Sequence, residues 1–394
     1  MRWIDEEDIE DLAIGAALLG TGGGGDPYLG KLMVQKCIRD NGPIQMIDVT
    51  EVPDEAWVIP TAMMGAPTIM MEKIPNGDEA LKSMRMLEKQ TGISAYATMP
   101  IECGGLNSTV PFVVASKAGI PLVDGDGMGR AFPELQMETF HIYGISGTPM
   151  VLHNERGDRV LLETLDNYML EHISRGIAVR MGGAAHVAEY MMTGADVKRT
   201  AIHGTMTLCM ALGQSIRHAQ KTKRNPIEAI QEVTRNSIYG EAIVVFRGKV
   251  TDIERQSTDG FVRGKALVTG LGEYEGKELK VDFQNENLFA TVDGQAIAMV
   301  PDLITFLDQE TGMPITTESI KYGFRVICLA IPTPDIMRTP EALEVWGPRY
   351  FGYDTDYESV EIIQQRRGTQ TCIKLGLMLG VPIQMLLFWM NIIR

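Results

Sequence analysis

Apolar positions recur at helical spacing from Glu6 to Leu19 and again from Tyr28 to Arg39, so each stretch is expected to form a helix. Between them runs Gly20-Thr-Gly-Gly-Gly-Gly-Asp-Pro, in which Asp26 ahead of Pro27 is a helix-start signature. Short apolar runs follow, Ile44 to Val49, Ala56 to Met63, Ile93 to Met99 and Pro111 to Ala115, and these read as strands. A helical pattern from Asn76 to Gln90 lies among them, and strands alternating with helices favour an α/β layer. A hairpin is expected over Gly144 to Leu162, joined by Asn154-Glu-Arg-Gly-Asp. Helices are expected over Leu165–Ala178, Gly194–Ala219 and Asn225–Glu232.

From about Gly240 the chain changes to short alternating strands, Ile243–Val250, Gly260–Val268, Lys277–Phe283 and Leu288–Met299. Turn signals at Thr258-Asp-Gly, Tyr274-Glu-Gly and Val292-Asp-Gly separate them. The expected fold is an N-terminal α/β layered domain, residues 1–240, followed by a second, β-rich C-terminal domain, residues 241–358. Residues 359–394 are set apart as an apolar tail. Cys372 to Ile393 meets the length criterion for a bilayer span, about 20 residues, and follows Arg366-Arg367. Membrane association through this tail stays open. A buried terminal segment, a dimer contact or an appended end fits better, because the rest of the chain reads as an enzyme in solution.

With 394 residues the chain can hold two cores, and 45% hydrophobic with 22% charged residues is ordinary globular composition. A net charge of −15 argues against a nucleic-acid partner, whose phosphates require clustered Lys and Arg. The acidic N-terminus does not read as a signal peptide, and a cytoplasmic location is expected. Cysteines 37, 103, 209, 328 and 372 are scattered without a Cys-x-x-Cys pair, so neither a disulfide framework nor a structural zinc site is indicated.

The chemistry concentrates in Leu122-Val-Asp-Gly-Asp-Gly-Met-Gly-Arg-Ala-Phe-Pro-Glu134. Asp124 and Asp126 stand among glycines, with Arg130 and Glu134 following, and such a cluster after an apolar run reads as a strand-end site. Ile101-Glu-Cys-Gly-Gly-Leu-Asn107 repeats the logic with Glu102, Cys103 and Asn107, and Met64-Gly-Ala-Pro-Thr68 is a third such loop. Gly22, Gly23, Gly24 and Gly25 form the fourth. One shared site explains four loops of one character better than four separate sites. The glycine run contains G-x-G-x-x-G at 20, 22 and 25, yet it follows a helix rather than a strand, so a nicotinamide site is not expected. There is no P-loop. Asp124 and Asp126 fail the calcium-loop pattern at Met128 and Leu135 but could hold one divalent ion together with His186. A single histidine or cysteine is more often structural than functional. No H-E-x-x-H or G-x-S-x-G occurs.

The glycine run at 20–27, Gly65-Ala-Pro, Glu102-x-Gly-Gly-x-Asn107 and Asp124-Gly-Asp-Gly-Met-Gly-Arg-Ala-Phe-Pro-Glu-Leu-Gln136 occur in an order that resembles the S-methyl thiohydantoin desulfurase family, which is associated with hydantoinase/oxoprolinase proteins. Val300-Pro-Asp-Leu-Ile304 and Trp346-Gly-Pro-Arg-Tyr-Phe-Gly-Tyr353 look like its C-terminal part, and the resemblance covers roughly Ile9 to Tyr353. It implies a two-domain hydrolase acting on a hydantoin-like or S-methyl thiohydantoin-like five-membered ring, by C–S or C–N bond hydrolysis. The alternative is a non-catalytic subunit of a hydantoinase/oxoprolinase-type enzyme, as a homo-oligomer or beside such a partner. The ATP used by hydantoinase subunits is not carried over, since no nucleotide motif is present. Under the hydrolase reading Asp124 or Asp126 is the base, directly or through a metal-bound water, and Glu102 or Glu134 is the acid. Arg130, Asn107 and the amides of Gly22–Gly25 stabilise developing charge, with Thr68 and Cys103 against the substrate. Arg130 and Glu134 could equally form a structural ion pair.

Overall fold

The structure, a computed structural model, describes residues 1–65, 76–258 and 261–368. Helix α1 (Glu6–Leu19) begins at Asp5, whose side chain accepts the amides of Glu7 and Asp8, and Glu6, Glu7 and Asp8 complement the helix dipole. Helix α2 (Tyr28–Asn41) starts where the Asp26 carboxylate accepts the Tyr28 amide at 2.9 Å.

The first sheet contains β1 (Arg2–Ile4), β2 (Ile44–Asp48), β3 (Trp57–Gly65), β4 (Ala97–Met99), β5 (Leu122–Asp126), β6 (Met150–His153), β7 (Arg159–Leu162) and β8 (Ala184–Ala188), in the order β1-β2-β5-β4-β3-β8-β6-β7. Strands β2, β5, β4 and β3 run parallel, whereas β8 joins β3 antiparallel. The helices Glu79–Thr91 and Val110–Ala118 make the crossovers from β3 to β4 and from β4 to β5, as parallel pairing requires. The C-terminal ends of β3, β4 and β5 therefore leave the sheet along one edge.

Pro111–Ala115 is helical, not a strand. A continuous apolar run cannot distinguish a fully buried helix from a buried strand, and residues 110–115 are all buried. Pro111 sits in the first turn and Gly119 ends the helix at φ +68. The strand is β5, one segment later, so Asp124 and Asp126 lie within it rather than beyond it. The expected helix Gly194–Ala219 is two helices, Gly194–Thr200 and Thr205–Thr222, separated by a short strand Ile202–His203 that pairs with β5.

The second domain is an eight-stranded antiparallel sheet running from Ile243 to Ile331. Its strand Glu278–Gln284 alternates buried and less buried positions, the period-2 pattern that a one-sided core dictates. The helix Pro340–Trp346 returns to the first domain, where Trp346 stacks on Phe132 with ring centroids 4.7 Å apart. Residues 360–368 are helical. Val360 and Ile363 are buried, and the Val360 amide donates to Asp302 at 2.7 Å. The β-rich domain thus extends beyond residue 358, and a cut after Ser359 would strip two core side chains. Cys372 to Ile393 lies outside the described residues. Among those described, no helix is long and apolar enough to cross a membrane.

Candidate functional site

The loop leaving β4 places Glu102 at the edge of the sheet, and Asn107 fixes it there. The Asn107 amide oxygen accepts the Met63 N–H at 2.7 Å, while its nitrogen donates to the Met63 carbonyl at 3.0 Å and to Glu102 Oε1 at 2.6 Å. Loop 20–25 is wedged between this segment and residues 285–287 of the β-rich domain. Leu106 N–H donates to the Gly24 carbonyl at 2.8 Å, Gly24 N–H donates to Glu286 Oε1 at 3.2 Å, and Asn287 N–H donates to the Thr21 carbonyl at 2.8 Å. A Cβ on Gly23 would overlap the Glu286 carboxyl, and Gly105, at φ +61, lies directly on the Gly24 backbone. The glycines are there so that two loops and a hairpin can meet backbone to backbone.

What results is a small cavity of about 50 Å³ bordered by Gly24, Gly65, Glu102, Asn107, Met128 and Glu286. All four predicted loops contribute to it, and Thr68 lies outside the described residues. Glu134 and Arg175 line this cavity and also an outer cleft of about 780 Å³, together with Tyr168, Phe261 and Tyr350. Arg175 is held by Glu171 at 2.7 Å and rests over the Phe261 ring. Glu134 accepts from Gln136 and, at 2.8 Å, from the Tyr350 hydroxyl.

The electrostatics single out a pair of carboxyls contributed by the two domains. Burial, and then the Glu286 charge, raise Glu102 well above the usual carboxylate range. Burial raises Glu286 to about 8, against the pull of the Arg130 charge and the Gly24 amide. Among the described residues neither Glu102 Oε2 nor Glu286 Oε2 has a hydrogen-bond partner.

The other predicted residues have different partners. Both oxygens of Asp124 face the N-terminus of the helix Thr205–Thr222, taking the Met206 and Thr207 amides at 3.0 and 3.1 Å and the Thr207 hydroxyl at 2.5 Å. Asp124→Ala is therefore expected to cost about 1–2 kcal/mol in thermal unfolding, the worth of a helix cap, with turnover per folded molecule preserved. Asp126 Oδ2 gathers the amides of Cys103, Met128 and Gly129 between 2.8 and 3.1 Å, and burial still raises this carboxyl to about 6. Arg130 is fully buried and forms no ion pair with Glu134. Its guanidinium donates to the carbonyls of Ala131, Pro301, Asp302 and Asn287 and to the Thr21 hydroxyl, at 2.8–3.2 Å. Burial lowers it to about 10, so it stays charged at neutral pH. The Cys103 thiol is buried in the core and raised well above its ordinary range by burial, which leaves no nucleophilic thiolate. His186 lies beside His153, under the charges of Glu79 and Glu155, and not with Asp124 and Asp126. Among the described residues no group of three or more His, Cys, Asp and Glu could hold a metal ion.

Sequence reasoning missed Glu286, Glu138 and Glu189. Glu138 and Glu189 are fully buried, none of their four oxygens has a hydrogen-bond partner among the described residues, and burial raises both well above the usual range. A polar Gln-Asn-Glu-Asn hairpin tip reads as exposed, and nothing local reveals that Glu286 meets a loop 262 positions away. For the raised carboxyls the sign of the pH linkage is clear. Folded pKa values above the unfolded 4.5 give stability that is complete below about 4.5 and lost as pH rises through the folded values, to about 8 for Glu286. The melting temperature is expected to be higher at pH 5.5 than at pH 8.5 by scanning calorimetry, and a flat profile would contradict these assignments.

A solved crystal structure of a protein from Chromobacterium violaceum superposes with a TM-score of 0.77 at 23% identity, covering 91% of this chain and 100% of that one, a likeness of fold. No curated protein matches. The sequence profile of the S-Me-THD-like N-terminal domain matches residues 7–164 and that of the S-Me-THD-like C-terminal domain matches residues 165–360. Built from both halves around one interdomain cavity, the chain belongs to the S-Me-THD-like family.

Proposed function

We propose that the protein hydrolyses the C–S bond of an S-methyl thiohydantoin-like ring, with Glu286 as base and Glu102 as acid. The supporting observation is that two buried carboxyls from different domains border one small cavity, and the Arg130 guanidinium charge favours ionisation of Glu286. Arg130 and the Gly24 amide favour the Glu286 carboxylate, and that negative charge in turn keeps the proton on Glu102. As pH rises through about 8, Glu286 ionises while Glu102 keeps its proton, and two like groups in opposite protonation states are the usual basis of an acid–base pair.

The inner cavity has room for one or two waters, at about 30 Å³ each. The outer cleft has room for a five-membered ring with its substituent, and the sulfur-bearing carbon points inward past Glu134 and Arg175. Glu286 takes a proton from water as the oxygen bonds to that carbon, and Glu102 gives its proton to the ring nitrogen as the C=N bond opens. The tetrahedral adduct then collapses. Its C–S bond breaks, the departing methanethiolate takes the proton from Glu286, and the new hydroxyl returns a proton to Glu102 as the carbonyl forms. The products are the hydantoin and methanethiol, with both carboxyls restored. Arg130, whose N–H groups are all spent on carbonyls and a hydroxyl, positions Glu286 electrostatically.

Methanethiol release from S-methyl thiohydantoin by the purified chain tests the reading. The expected kcat/KM rises with pH through an ionisation near 8, as Glu286 becomes a carboxylate. No release between pH 6 and 10 would reject it in favour of a non-catalytic role.

A further inference from the structure

Elsewhere in the first domain, the helix Glu79–Thr91 and the β6–β7 hairpin border a second cleft of about 660 Å³, which shares no lining residue with the Glu102–Glu286 cavity. Its helix wall carries Lys82, Arg85 and Lys89, one turn apart on a single face, and its hairpin wall carries Arg159. Lys82 lies 3.9 Å from Asp78 and Arg85 is paired with Glu88 at 2.8 Å, but neither acid lines the cleft. Among the described residues neither Lys89 nor Arg159 has a carboxylate within ion-pair distance. His153, only 6% exposed, also borders the cleft. Its Nδ1 lies 2.9 Å from the Asn154 carbonyl. A carbonyl can only accept, so Nδ1 carries the proton and Nε2 is left for another partner.

The arrangement runs against the charge of the chain. In a chain of net charge −15, four cations and no carboxylate lining one concavity stand out from the average surface. Screening confines the distant acids to about 8 Å at physiological salt, and with Asp78 and Glu88 offsetting Lys82 and Arg85, an approaching ion feels chiefly Lys89 and Arg159. Low-dielectric walls then focus that field into the cleft. The volume falls within the range of small-molecule sites, about 300–1,000 Å³. Cations on both the helix wall and the hairpin wall, with Met86 among the helix residues that line the cleft, suit a ligand whose anionic groups are separated by an apolar stretch.

We propose that this cleft binds a small molecule bearing two or more anionic groups, phosphates or carboxylates, at a site separate from the Glu102–Glu286 cavity. The test is calorimetric titration of the full chain with tripolyphosphate and with citrate at 50 and 300 mM salt. Saturable one-to-one binding is expected, weakening at least tenfold in Lys89→Glu/Arg159→Glu. Both positions are exposed, so circular dichroism should be unchanged, as should any turnover by the chain. Binding of tripolyphosphate alone would assign a phosphorylated ligand, and binding of citrate alone a polycarboxylate. Absence of saturable binding for both probes, or binding unaffected by the charge reversal, overturns the proposal. A phosphate-affinity result that survives Lys89→Ala/Arg159→Ala would overturn it equally. Neither outcome bears on the hydrolase reading, which rests on other residues.

Discussion

Glu286→Gln is expected to lower kcat on S-methyl thiohydantoin by about 10²–10⁴-fold, the usual contribution of a positioned base, without disturbing the fold. The amide keeps the size of the side chain and can still accept the Gly24 N–H, but it cannot take a proton from water. The same substitution removes a titration that costs stability as pH rises, and one pKa unit is worth about 1.4 kcal/mol. The mutant's melting temperature at pH 8.5 should therefore approach its value at pH 5.5 more closely than in the parent. Rates within tenfold of the parent would exclude Glu286 as the base. Loss of activity with an unchanged pH–stability slope would mean that the carboxyl is ionised already.

Arg130→Met should be the most damaging single change in the first domain. It removes one planar fork and leaves four buried carbonyls and the Thr21 hydroxyl short of donors. A buried group left unsatisfied costs about 1–3 kcal/mol, so the loss should exceed about 4 kcal/mol, a large part of the roughly 5–15 kcal/mol of a typical domain. Arg130→Lys should rescue little, because one ammonium cannot span partners in both domains. Chemical denaturation of the purified variants decides the matter. A midpoint close to the parent's would show that water replaces the guanidinium. Glu134→Ala, at a partly buried side chain bonded among the described residues to Gln136 and Tyr350, should shift the midpoint by less than about 1 kcal/mol.

Much of the architecture was legible because it is written in local periodicity. The helices at Glu6 and Asn76, the hairpin around Asn154 and the alternation after Gly240 all follow from spacing of 3.6 or 2. The failure at Pro111–Ala115 is instructive: a helix buried on every side loses its polar face, and with it the pattern that identifies helices. At the site, the glycine-lined loops announced themselves by composition, and they do border one cavity. The roles within them were not legible. Asp124 and Asp126 drew attention because carboxylates among glycines are commonly catalytic, and no spacing rule foretells that Asp124 holds the amides of Met206 and Thr207 while one Asp126 oxygen gathers those of Cys103, Met128 and Gly129. Glu286 was invisible for the opposite reason, since its meaning lies in a contact with Gly24 made only in three dimensions.

The wedge of loop 20–25 against Glu286 also bears on how the protein is made. Synthesis delivers the N-terminal sheet first, and domains generally fold as they emerge. At that stage the chain holds Glu102 and Asn107 in place but lacks the second carboxyl and the three carbonyls of Asn287, Pro301 and Asp302 that Arg130 needs. Closing a loop of that length costs entropy that grows only slowly with length, about 0.6 kcal/mol per doubling, so the long separation is thermodynamically cheap, although it delays assembly. A truncated or stalled product would therefore lack one wall of the cavity, and the Glu102–Glu286 pair exists only once the second domain has been made.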